Sequence, residues 1–91
     1  MVVYTYDQRL LEITETKNTA DITFQLTLKS EEMRNRLREL RSFLEDNKDY
    51  TDALFYTQLD GNYEIIVRND YYLHFLLQAF RFRCIESLAW Q

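Results

Sequence analysis

The stretch ITFQLTLKSEEM, residues 22–33, decides how the rest of the chain is read. Ile22, Phe24, Leu26 and Leu28 alternate with Thr23, Gln25, Thr27 and Lys29, the period of two that belongs to a strand with one dry and one wet face. At Ser30 the period changes. A hydroxyl suited to capping, two acids for a first turn, and then Met33, Leu37, Leu40 and Leu44 at helical spacing predict a helix to about Asp46. A strand feeding directly into a capped helix points to a layered α+β arrangement.

Upstream, Leu11 and Ile13 alternate with Glu12 and Thr14, and Lys17, Asn18 and Thr19 supply a turn, so Arg9 to Thr16 pairs with the first strand as a hairpin. Val2 to Tyr6 is also strand-like. Downstream, Asp60-Gly61 between two apolar runs predicts a second hairpin with a two-residue loop. That register pairs Leu54 with Val67, Tyr56 with Ile65 and Gln58 with Tyr63 on the core face, and leaves Phe55, Leu59 and Ile66 on the outer one. Asn69-Asp70 then caps a second helix towards Trp90. The alternation Phe80, Phe82, Cys84 leaves residues 80–86 open between helix and strand, with continuous helix favoured because no Gly or Pro interrupts.

The fold class that follows is a two-layer α+β single domain over residues 1–91, in the order β-β-α-β-β-α. It has an antiparallel sheet of four to five strands and two helices on one face. Phe24, Leu26, Leu28 and Ser30 correspond to Tyr63, Ile65, Val67 and Asn69 at a spacing of 39. An internal pseudo-repeat and a shared physical solution account for this equally well.

Composition narrows the chemistry. Leu, Ile, Val and Phe make up about 30% of the chain, well above the roughly 20% below which charged chains stay disordered. One Cys, Cys84, closes no disulfide and fits a reducing, cytoplasmic setting. No charged-then-apolar leader opens the chain, and no apolar run approaches the roughly 20 residues of a membrane span. One His and one Cys do not make a closed zinc site. The acids from Glu45 to Asp52 lack the central Gly of a calcium loop, and a single Gly forms no phosphate cradle. No cofactor or metal is expected.

Three functional readings remain. The favoured one is a small protein-interaction module, homodimeric or bound to another protein as a regulator or inhibitor, with no enzymatic activity. It rests on an excess of apolar side chains. On a helical wheel, Leu76, Leu77, Phe80 and Cys84 lie within about 60° of Leu73, while Tyr71, Phe75, Phe82 and Ala89 cluster on the opposite side. A helix apolar on both sides has to be covered twice. The anchors read from sequence are therefore Phe55, Leu59, Ile66, Tyr71, Phe75, Phe82 and Trp90.

The second reading is an acidic nucleic-acid mimic using Glu45, Asp46, Asp49, Asp52 and Asp60. A net charge of -4 is modest for that role and argues against direct binding of nucleic acid. The third is a small-molecule binder or enzyme with Asp70, His74 and Arg81 along a cleft. Arg34, Arg38 and Arg41 can grip phosphate in principle, but their spacing from Glu31 and Glu45 reads as intrahelical pairing.

Overall fold

In the computed structural model, which describes residues 1–47 and 52–91, the 22–33 stretch does what its periods require. Strand β3 (Asp21–Leu28) buries Ile22, Phe24 and Leu26 and turns Thr23 and Gln25 the other way. Ser30 is extended, with φ -149° and ψ 152°, and its hydroxyl accepts the Met33 amide at 3.1 Å. Helix α1 (Glu31–Glu45) then buries Met33, Leu37, Leu40 and Leu44.

Strand β2 (Leu11–Lys17) pairs antiparallel with β3, Ile13 opposite Leu26. On the other side of β3 runs β5 (Tyr63–Arg68), and beyond it β4 (Ala53–Thr57), giving the order β2-β3-β5-β4. The two hairpins thus sit side by side with their equivalent strands, β3 and β5, adjacent at the centre. Helix α2 (Tyr72–Arg81) packs with α1 on the buried face of this sheet, where Leu37, Leu40, Ile65, Val67, Phe75 and Leu76 join one core. The α+β class holds.

Three details depart from the sequence reading. The first is the second hairpin's loop, which has three residues. Gly61 donates to the Gln58 carbonyl at 2.9 Å, and the Gln58 amide donates to the Asn62 carbonyl at 2.8 Å. Only Gly61, at φ +85°, is left-handed, whereas a two-residue loop would also have put Asp60 there. One added loop residue slips the register by one, so Thr57 faces Tyr63, Phe55 faces Ile65 and Ala53 faces Val67. Every β4 side chain changes face: Ala53 and Phe55 turn inwards, Leu54 and Tyr56 outwards.

The second departure is the start of α2. Asn69 to Tyr71 form a 3₁₀ turn, and neither Asn69 nor Asp70 caps the helix. The Asn69 amide nitrogens instead tie the sheet end to the first hairpin's turn, donating to the Ala20 and Thr19 carbonyls at 3.2 Å each.

The third is its end. The helix stops at Arg81, and residues 82–86 are neither helix nor strand. Arg83 adopts φ 62°, its amide bonding the Phe80 carbonyl at 3.0 Å while the Cys84 amide bonds Ala79 at 2.8 Å. This is a Schellman closure with arginine in the place that glycine usually takes. The turn drops Cys84 and Ile85 into the core and frees Ser87–Trp90 to form β6, which pairs with β1 (Val2–Thr5) in a separate ribbon. Because an L-residue there is strained, Arg83→Gly should raise stability by about 0.5–1 kcal/mol. Chemical denaturation will show it as a higher midpoint with an unchanged slope.

Candidate functional site: the outer face of α2

Of the seven anchor residues, four have moved into the fold. Phe75 is buried, with its ring 5.0 Å from Phe24 and 6.4 Å from Phe55. Phe55 is half-buried against Tyr63, and Phe82 is half-buried with its ring 5.5 Å from Phe43 of α1. Tyr71 packs against the core and stacks on His74 at 5.7 Å. Ile66 lies on the outer sheet face opposite Leu54. Leu59 at the hairpin tip and Trp90 remain in solvent, Trp90 with 71% of its surface exposed.

The two apolar stripes on α2 are present, but the buried face cuts across them, taking Phe75 from one and Leu76 from the other. Phe75, Leu76 and Ala79 face the sheet, and Leu73, Leu77 and Phe80 face out, with Leu77 45% and Phe80 47% exposed. The wheel identified both stripes. It had no means of saying which face the sheet would cover, because that depends on the tilt and rotation imposed by the 3₁₀ turn and by the Phe24–Phe75 contact.

Leu73 and Leu77 form one wall of an apolar groove of about 300 Å³, whose other wall is Val2, Leu88, Ala89 and Trp90 from the β1/β6 ribbon. Past Trp90 it continues into a wider, polar-edged trough of about 620 Å³ that includes Glu15, Lys17, Asp70 and Tyr72. Between the sheet and the helices, Tyr4, Leu11, Phe24, Leu40 and Leu76 line an apolar void of about 20 Å³, too small for any ligand larger than water. Among the described residues, a further and polar surface hollow of about 470 Å³ lies at the exit of α2, lined by Arg36, Phe80, Arg81, Arg83, Ile85 and Glu86. A second apolar feature is the sheet edge: β4 is the terminal strand, Leu54 and Tyr56 are about half exposed, and no charged residue occurs from Ala53 to Leu59.

Beneath the trough, the Glu15 carboxylate accepts hydrogen bonds from two phenols, Tyr4 and, at 3.1 Å, Tyr72. This tie fastens the β1/β6 ribbon and α2 to strand β2. Burial, reinforced by the Glu15 charge and hydrogen bond, pushes the Tyr72 phenol up to about 12 and the Tyr4 phenol higher still. The folded state thus favours the protonated phenols, so this stability is complete below about pH 10, where unfolded tyrosine titrates, and is lost as pH climbs towards about 12. Denaturation midpoints measured across alkaline pH should fall in that window, in step with tyrosinate absorbance.

The other sequence candidates do not assemble. His74 is exposed and stacked on Tyr71, while the Arg81 guanidinium lies 4.8 Å from the Phe43 ring and 5.5 Å from Phe82, so the two do not close on a shared cleft with Asp70. Burial pushes the Cys84 thiol up to about 12, which keeps it from acting as a nucleophile at neutral pH. Arg34 and Arg41 pair with Glu31 and Glu45 at 3.3 and 2.8 Å, and Arg38 bonds Asn35 at 3.1 Å.

Three of the acids proposed for nucleic-acid mimicry are engaged locally, and Asp46 is exposed at the end of α1. Glu45 pairs with Arg41, Asp52 with Arg68 at 4.0 Å, and Asp60 accepts from Asn62 within the hairpin loop. Asp52 and Asp60 flank the two ends of β4, roughly 20 Å or more apart at about 3.3 Å per residue. Asp49 lies outside the described residues. Among the described residues no group of His, Cys, Asp and Glu could hold a metal ion, and no helix is long and apolar enough to cross a membrane. Comparison with known proteins finds no matching family model, no similar curated protein and no similar solved structure.

Proposed function

We propose that this protein works by contact: it is a small protein-interaction module that self-associates into a dimer and, in that form, regulates another protein. The observation that carries this reading is the exposure of Leu77 and Trp90 on the walls of an apolar groove, with Phe80 about half exposed on the same outer face of α2, on a subunit whose core is already complete. Apolar surface left in water costs about 25 cal/mol per Å², and a contiguous patch of this kind is characteristic of a docking surface. A reducing cytosol is the setting we assign, on the strength of a single buried thiol.

Sedimentation equilibrium at micromolar concentration tests the reading. A species of twice 11.2 kDa is the expected result. A monomer at every concentration would overturn it.

A further inference from the structure

We infer that the second copy docks on α2 itself, the two α2 helices packing antiparallel across a two-fold axis near Leu77, with Phe80 of each subunit entering the groove beside Leu73 and Trp90 of the other. The inference rests on the dimeric reading and adds its geometry. Three observations lead to it.

The outer face of α2 is apolar along its middle, with Leu73, Leu77 and Phe80 in line. An antiparallel arrangement centred between Leu76 and Leu77 brings Leu73 opposite Phe80 of the partner subunit. Leu73 is a groove wall, so that ring meets the opening walled by Leu73, Leu77, Val2 and Trp90.

The ends of the face carry opposite charge. Asp70 lies in the turn that leads into the helix, and Arg81 and Arg83 lie at its exit, roughly 16 Å away at about 1.5 Å per residue. Antiparallel packing sets the Asp70 end of each helix against the Arg81 and Arg83 end of the partner subunit, and it also opposes the two helix dipoles favourably. Among the described residues neither Asp70 nor Arg83 has an ion pair inside its own subunit. A parallel arrangement would instead bring like charges together.

Exposed surface flanks the helix on both sides of this line. Trp90, Phe80 and Leu77 are 71%, 47% and 45% exposed, and Asp70, His74, Arg81 and Arg83 beside them are exposed as well, so these side chains supply contact surface towards the ~800 Å² per partner of a standard interface. The free edge of β4 also exposes Leu54 and Tyr56, with Leu59 at the adjoining hairpin tip, but from Ala53 to Leu59 it has no charged residue to orient a partner.

The test compares full-length variants by sedimentation equilibrium, with circular dichroism as the check on folding. Leu77→Glu and Phe80→Glu should raise the dimer dissociation constant at least 100-fold while leaving the fold intact, because both side chains are about half exposed and a glutamate there keeps its carboxylate in water. Leu54→Glu and Tyr56→Glu should leave the dimer unchanged. Asp70→Arg should weaken it about three-fold, and adding Arg83→Asp should restore it.

Should either glutamate variant fail to fold, Leu77→Cys provides a second route. Placed near the axis, it should oxidise to a disulfide-linked dimer, whereas Tyr56→Cys should not, and Cys84 is buried and stays out of the reaction. A wild-type dimer that survives Leu77→Glu and Phe80→Glu but dissociates with Leu54→Glu or Tyr56→Glu would overturn the α2 geometry and leave the dimeric reading standing. A monomeric wild type would overturn both.

Discussion

Replacing Phe75 by alanine should destabilise the protein by about 3–5 kcal/mol, a large part of the roughly 5–15 kcal/mol that holds a domain together. The ring is 4% exposed and sits where α2 meets the sheet, between Phe24 and Phe55. Removing it opens a cavity between elements that cannot close without moving α2, and α2 is held at one end by the Tyr72–Glu15 bond and at the other by the Schellman turn. Phe80→Ala, one turn and a half along the same helix but on its outer face, should change the stability of the isolated subunit by no more than about 0.5 kcal/mol. The two midpoints in guanidinium, compared at a concentration low enough to dissociate dimers, test the orientation of α2 directly. Equal losses would mean the helix is rotated.

Glu15→Leu should cost about 2–4 kcal/mol. The carboxylate is the common acceptor for Tyr4 and Tyr72, and hydrogen bonds to a charged group contribute about 1.5–3 kcal/mol each before the variant's gain in apolar contact is counted. Leucine fills part of the space but leaves two partly buried hydroxyls without this partner. Glu15→Gln retains one carbonyl acceptor and should fall between the two. The same substitution should shift the alkaline transition to lower pH, because the phenols lose the neighbouring negative charge that raises them, although the larger effect of burial remains. An alkaline midpoint identical to the wild type would show that Glu15 does not govern these phenols.

Much of this architecture can be read from local pattern. Ser30, Glu31 and Met33 identify the start of α1 because capping chemistry is contained within four consecutive residues. The alternation through β3 identifies its buried face because a strand's side chains have a period of two whatever they pair with. The second hairpin was legible as a hairpin, but its register was not. Asp60-Gly61 suits both a two-residue and a three-residue loop, and the choice is made by partners distant in sequence. The Asn62 side chain accepts the Leu28 amide at 2.8 Å, and Arg34 donates to the Gly61 carbonyl. That single step exchanged Phe55 for Leu54 and Tyr56 on the outer face.

The end of α2 is invisible to residue type, since arginine is a good helix former and no Gly or Pro marks the stop. The helix ends because burying Cys84 and Ile85 and pairing β6 with β1 outweigh the strain at Arg83. The candidate surface shares this origin. The sequence contains enough apolar side chain to make α2 dry on two sides, and Trp90 was singled out as an anchor from composition alone. Leu77 and Phe80 became the exposed pair only when the sheet covered Phe75, Leu76 and Ala79.

By itself, then, the chain determined the elements from β2 to the body of α2, their order and the existence of surplus apolar surface, because propensity, capping and periodicity act over a few neighbouring residues; the strand β6 that follows α2 was not among them. Only the tertiary structure decided which face of α2 and of β4 meets water. That choice depends on contacts between residues tens of positions apart, and a one-residue change in loop length or one left-handed turn is enough to reverse it.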